Sequence, residues 1–248
     1  MVSENVLLQS YNTFGIPVTA RYFASFNSEE ALTALLQDRR HNQLPQMILG
    51  GGSNILFTQD YNGLVLKNEI KGMNIVREDN DHVYVKAGAG ENWHGFVQYC
   101  IGKNLAGLEN LSLIPGNVGA SPMQNIGAYG AEIKDTFYEL EALHLEDHQV
   151  VTFNNAACHF GYRESVFKKE YRNQFAILSV TFRLNKTPHF NTSYGAINEE
   201  LERMGITALS IQAVSQAVIN IRSSKLPDPA KIGNAGSFFK NPSVDAAK

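Results

Sequence analysis

Apolar residues recur along this chain with two periods, and the changes from one to the other mark out its elements. Asn27-Ser28-Glu29-Glu30 reads as a helix start with acids in its first turn, leading through Leu32, Leu35 and Leu36. The short apolar run Met47-Ile48-Leu49 feeds straight into Gly50-Gly51-Gly52-Ser53-Asn54, and Gly63-Leu64-Val65-Leu66 predicts another strand. From His82 to Ala87 alternate residues are apolar, the period of a half-buried strand. Trp93, Phe96, Val97, Cys100 and Ile101 fall on one helical face, with Asn92 as the cap.

After a long loop region over residues 113–130 the strand period returns. Residues 137–145 and 150–153 are expected to pair as a hairpin around Glu146-Asp147. A strand over 176–184 turns Ala176, Leu178, Val180, Phe182 and Leu184 inward. Residues 210–222 predict a helix carrying Ile211, Val214, Val218 and Ile221 on one face, and Lys225 to Pro242 reads as Pro- and Gly-rich loop. The order predicts an α+β chain of two α/β lobes, about 1–67 and 68–205, with a further element beginning near 205 that reads as unfinished.

Composition narrows the classes. With 248 residues, 44% hydrophobic and 18% charged, the chain is globular in type and long enough for one large domain or two lobes. A net charge of -3 offers no basic field for nucleic acid or an anionic membrane. No stretch approaches the ~20 apolar residues of a membrane span. Met1-Val2-Ser3-Glu4-Asn5 lacks the basic patch and apolar run of a secretory signal, and two cysteines make no disulfide framework. A cytoplasmic monomer is expected, with no nucleic-acid or membrane partner.

The chemistry sits in the glycine-rich loops. Gly50, Gly51, Gly52, Ser53 and Asn54 put bare backbone amides beside a hydroxyl and an amide, suited to a ligand's phosphates. The pattern is not G-x-G-x-x-G, which disfavours the ordinary dinucleotide-binding reading, and alone it is equally a tight turn between strands. The second loop, from Pro115 and Gly116 to Gly130, has four glycines, two prolines and several short polar side chains. A connection of that length without regular structure is usually functional, although a structural omega loop would read similarly. Gln124 and Asn125 could hydrogen-bond the edge of a flat ring.

These loops, with Asn12-Thr13-Phe14-Gly15, Phe160-Gly161-Tyr162-Arg163-Glu164-Ser165-Val166-Phe167 and Gly233-Asn234-Ala235-Gly236-Ser237-Phe238-Phe239-Lys240-Asn241-Pro242, run in order over essentially the whole chain. Together they resemble the bacterial UDP-N-acetylenolpyruvoylglucosamine reductases of peptidoglycan synthesis. The resemblance implies a vanillyl-alcohol-oxidase-like (PCMH-type) FAD-binding domain over 16–187 and the start of a substrate-binding region over 206–248. It also implies bound FAD, NADPH as hydride donor, and a UDP-sugar carrying an enolpyruvyl group as substrate. Cofactor contacts would come from residues 50–54, Pro115, Gly116, Gly119, Ser121, Gln124, Asn125, Gly127, Ala128, Tyr129 and Arg222. Arg163 would stabilise the developing negative charge, and Ser237 would donate the proton. Tyr162, Tyr194, Lys225 and Asn241 would contact substrate.

Members of that family continue well past the Phe-Phe-Lys-Asn-Pro motif, and a glutamate in that continuation works with the arginine. Impaired turnover is therefore expected of this chain, and a non-catalytic FAD-binding module is the alternative; an alcohol oxidase of the same superfamily is disfavoured by Tyr194, Arg163 and Ser237. His144 and His148 flank Glu146-Asp147 but are expected to straddle a solvated turn, so no metal is expected. The sequence neighbours Cys158-His159 are a poor nucleophile–base pair, and Cys100 belongs to an apolar helix face.

Overall fold

A computed structural model describes residues 1–229, 231–236 and 238–242. The first sheet holds β1 (Ser3–Leu7), β2 (Thr19–Phe26), β3 (Gln46–Leu49) and β4 (Tyr61–Asn68) in the order β1-β2-β4-β3. β1 runs antiparallel to β2, whereas β2 and β3 both lie parallel to β4. Parallel neighbours need a crossover, and α1 (Glu29–Leu36) supplies it, its first turn capped by Ser28 Oγ accepting from the Ala31 N–H at 3.2 Å.

The second sheet is antiparallel throughout. It holds β5 (Met73–Glu78), β6 (His82–Gly88), β9 (Phe137–His144), β10 (Val150–Asn154) and β11 (Phe175–Asn185) in the order β10-β9-β11-β6-β5. Between β6 and β9 come α2 (Trp93–Gly102) and the two-residue strands β7 (Gly127–Ala128) and β8 (Ala131–Glu132). α3 (Gly195–Arg203) and α4 (Ile211–Lys225) follow the sheet. The expected hairpin forms as β9 and β10, and Asn92 caps α2 by accepting from the Gly95 N–H at 2.9 Å.

The expected inward alternation of β11 is broken. Ala176 and Leu178 pack with Leu143 and with Ala24, Phe26, Leu32, Leu64 and Leu66 of the first sheet and α1. Val180, Phe182 and Leu184 instead join Ile177 in the core between the second sheet and α2, around Trp93 and Phe96. The cause is a register shift between Ile177 and Ser179 opposite β9. One extra residue in a strand reverses which face each later side chain takes. Ala20 and Phe23 both lie on the far face of the first sheet, with Val65 and Leu49, on either side of an irregularity in the β2–β4 pairing. One strand therefore serves two cores, and Asn68 adds a polar link across them by donating to the Ile177 carbonyl at 2.9 Å.

α4 packs on α3 and on the core of the second sheet. Ile211 enters the core around Trp93 and Phe96, while Ala213, Ala217, Val218 and Ile221 pack on Ile197 and Leu201 of α3. Ser215 bonds Ser112 at 2.8 Å and accepts from Gln98 of α2 at 3.2 Å.

Candidate functional site

The Gly50–Asn54 turn leaves the C-terminal end of parallel strand β3, the end at which open α/β sheets place ligands. It meets the second loop backbone to backbone. A first side-chain carbon at Gly51 would lie 2.8 Å from Gly116 Cα and 2.9 Å from Asn117 Oδ1, so only glycine allows the approach. Gly52 holds φ at 63°, and a side chain there would run into the Tyr11 carbonyl. Asn54 Nδ2 donates to Gln124 Oε1 at 3.1 Å, and Thr13 N–H donates to the Gly52 carbonyl at 3.0 Å. The two glycine-rich stretches and the Asn12–Gly15 segment thus form one surface.

Short turns organise the second loop, with 3-10 turns at Val118–Ala120 and Pro122–Gln124 followed by β7 and β8. Asn125 lies inside it at φ 45° and 1% exposure. Its amide is already engaged, donating to the Gly161 carbonyl at 3.0 Å and accepting from Lys134 N–H at 3.1 Å. The side chain pictured against a ring edge instead fastens the loop to the Tyr162 turn. Ser121 Oγ is likewise spent on the Val118 carbonyl, at 2.7 Å. Gln124, exposed to solvent at its tip, stays on the surface with Asn54 and Lys168.

Arg222 reaches the same surface from α4. Its Nε donates to the Leu113 carbonyl at 3.2 Å, and its guanidinium lies beside the Tyr129 hydroxyl. Burial draws the guanidinium below its ordinary range, with Tyr129 pulling the other way. Among the described residues no carboxylate forms an ion pair with it. A half-buried cation left with a phenol suits an electron-rich ligand group. Tyr194 stands edge-on to Tyr129, ring centres 5.3 Å apart, and is half exposed, as is Tyr162.

Arg163 sits at the head of a tight turn with φ 51°, a left-handed conformation uncommon for a long side chain. Gly161 and Glu164 bridge beneath it, their N–H groups bonding each other's carbonyls at 3.0 and 3.3 Å. Ser165 Oγ ties the turn to the second glycine loop through the Met123 carbonyl at 2.8 Å. The chain after α4 returns to this site. Asn234 N–H donates to the Thr13 carbonyl at 3.0 Å, Phe238 stacks edge-on against Phe14, and Lys240 pairs with Glu164 at 2.9 Å. Lys225 and Asn241 are exposed, and Ser237 lies outside the described residues.

Two contributors escape a reading of the loops alone. Lys67, next to last in β4, donates from Nζ to the Gly50 carbonyl at 2.8 Å, and burial lowers its pKa. A lysine closing the run Leu64-Val65-Leu66 is the signal that marks it. Beside it opens a polar cavity of about 550 Å3, whose lining includes Lys67 and Lys71, the carboxylate Glu69, and Asn68, Asn92 and Asn117. Glu164 is the second, holding Lys169 at 2.8 Å as well as Lys240. A glycine cradle, two lysines at its foot and a carboxylate-free arginine at its rim fit a flat ring system joined to a diphosphate.

The chain matches a family model described as an FAD binding domain over residues 20–154. It is 54% identical over 247 residues to the UDP-N-acetylenolpyruvoylglucosamine reductase of Amoebophilus asiaticus, covering all of this chain and 73% of that one. Among solved structures, UDP-N-acetylenolpyruvylglucosamine reductase from Thermus caldophilus superposes with TM-score 0.71 at 24% identity, over 98% of this chain and 76% of that one. Substrate-bound p-cresol methylhydroxylase superposes with TM-score 0.51 at 13% identity, over 71% of this chain and 38% of that one.

Proposed function

Since the chain belongs to the UDP-N-acetylenolpyruvoylglucosamine reductase family of FAD- and NADPH-dependent oxidoreductases, we propose that its glycine-rich surface holds FAD for reduction of a UDP-sugar enolpyruvyl group. The fold is the α+β, vanillyl-alcohol-oxidase-like fold of this class. The observation that carries the site assignment is the contact of Gly51 with Gly116, which joins backbone from two distant stretches into one cradle.

Residues 50–54 and 115–130 would hold the diphosphate and ring, with Lys67 beneath the first turn and Arg222 at the rim. When bound, FAD supplies a hydride relay from NADPH to the terminal vinyl carbon of the enolpyruvyl group. Arg163 would hold the substrate carboxylate and stabilise the charge that builds beside it, the role of a preorganised cation. Ser237 Oγ would deliver a proton to the carbon next to the carboxylate, a step worth ~10²–10⁴-fold when the donor is positioned. The exposed rings of Tyr162 and Tyr194 would cover the sugar nucleotide, with Lys225 and Asn241 on its diphosphate and uridyl portion. We take the protein to work as a cytoplasmic monomer; among the described residues no helix is long and apolar enough to cross a membrane.

Anaerobic titration tests the proposal. A yellow preparation should bleach on NADPH and recover its colour on addition of the enolpyruvyl sugar nucleotide. Bound flavin that bleaches without recovery would make the chain a flavin-binding module instead. Ser237→Ala should leave bleaching intact and slow the recovery by at least ~10²-fold; an unchanged recovery rate would remove Ser237 as the donor.

A further inference from the structure

Leu113 occupies left-handed backbone at φ 59°, where an aliphatic side chain is rarely found, so the surrounding structure must impose it. Its two peptide groups are clamped from opposite helices. The N–H donates to His94 Nδ1 at 3.0 Å, and the carbonyl accepts from Arg222 Nε at 3.2 Å. Trp93, next to His94 in the first turn of α2, closes the same segment on either side. Its indole N–H donates to the Leu111 carbonyl at 2.9 Å and its backbone N–H to the Gly116 carbonyl at 3.0 Å. One helical turn therefore fixes the chain from 111 to 116, the approach to the second glycine loop.

We propose that His94 is a positioning residue for the flavin site: through Leu113 it sets both the course of the loop into Gly116 and the aim of the Arg222 guanidinium. The inference rests on the reading of residues 115–130 and Arg222 as flavin contacts. It requires a neutral imidazole with its proton on Nε2, because Nδ1 must accept. Burial, then the Arg222 charge, push the His94 pKa down, which keeps the acceptor available. Arg222 bears on it from α4, and Tyr129 shares that guanidinium. Glu109, in the preceding turn, spends its carboxylate on the Gly107 N–H at 2.7 Å. On α2 itself Tyr99 reaches the Met73 carbonyl at 3.4 Å and Cys100 is buried.

The sign of the pH effect follows. A depressed histidine keeps its contribution above its ordinary value of about 6.5 and loses it as pH falls through the lowered one. The test is titration of the flavin-free protein with FAD, followed by fluorescence, from about pH 7.5 to about pH 5. Wild type should lose affinity on the acid side. His94→Phe should bind about tenfold more weakly at pH 7.5, the cost of one lost hydrogen bond, with a flatter profile. His94→Asn, which returns an oxygen near the Nδ1 position, should restore affinity with a flat profile. Arg222→Ala should weaken binding and remove most of the difference between wild type and His94→Phe.

An affinity independent of pH in wild type, which needs no variant to fold, or a His94→Asn protein no better than a folded His94→Phe, would overturn the proposal. If wild type binds FAD and Arg222→Ala weakens that binding while His94→Phe binds normally, the positioning role alone fails. A wild-type chain that refuses FAD would end the flavin reading itself.

Discussion

Single residues carry most of the site's constraint. At Gly51 the added methyl of an alanine would stand 2.8 Å from Gly116 Cα, with backbone rather than a flexible side chain in the way. Overpacking of that kind costs about 1–3 kcal/mol and would push the two loops apart. Gly51→Ala should therefore lower both FAD affinity, by more than about tenfold, and the urea midpoint. Wild-type affinity in that variant would mean that the close approach is no part of the grip. Arg163→Lys keeps the charge but loses the planar fork, and should cut turnover by about 10²-fold while leaving NADPH-driven bleaching untouched. At this scale the sequence was legible where a residue type has one use, as with the glycines. It was silent where the use depends on burial: nothing in Asn125 announces that its amide is turned inward on Gly161 and Lys134.

Elements were read more readily than their pairing. The caps at Ser28 and Asn92 and the β9–β10 hairpin follow from local chemistry, so they can be placed without a partner in view. The parallel pairing of β2 and β3 with β4 and the reversal within β11 depend on residues far away, and no local period encodes them. The segment after α4 is a loop by composition, but its anchor is electrostatic. Glu164 holds Lys240 and Lys169, and those two hydrogen bonds, Lys169 first, keep its carboxyl at about 2. A depressed carboxylate contributes above its ordinary value near 4.5 and is lost only as pH falls through about 2, so the clasp persists across mildly acidic and neutral pH. It is exposed, and salt should loosen it. Chymotryptic cleavage beside Phe238 and Phe239 should speed up about twofold to fivefold in Lys240→Gln, and likewise for wild type in high salt. Equal rates in all three conditions would show that the ion pair does not tether the segment.

For the whole molecule, the decisive features are the cores shared across the chain. Asn68 donates from the first sheet to the Ile177 carbonyl of the second, buried at 4% exposure, and its own Oδ1 accepts from Ile70 N–H at 3.1 Å. Asn68→Ala would leave that carbonyl without its partner, a loss of about 1–3 kcal/mol measurable by urea denaturation. Ala176 and Leu178 lie among the side chains of α1, β2 and β4, so both sheets are expected to unfold in one transition. Two separated transitions would mean that the seam contributes little. The order of strands and helices announces the elements of both sheets, but the packing between the sheets could not be read from it. That packing is made by the far end of a strand more than a hundred residues downstream.

The bulged strand has one more consequence. A protein whose halves touched only through a linker could admit a large flat cofactor by swinging open, like the covers of a book. Here the spine is itself a strand, β11, with its side chains sewn into both covers. Cofactor uptake must then proceed by local yielding of the rim, around residues 113–130 and 161–169, while the frame stays fixed. The radius of gyration measured by X-ray scattering should be the same with and without FAD, and amide exchange should slow only at the rim and in the turn of residues 50–54.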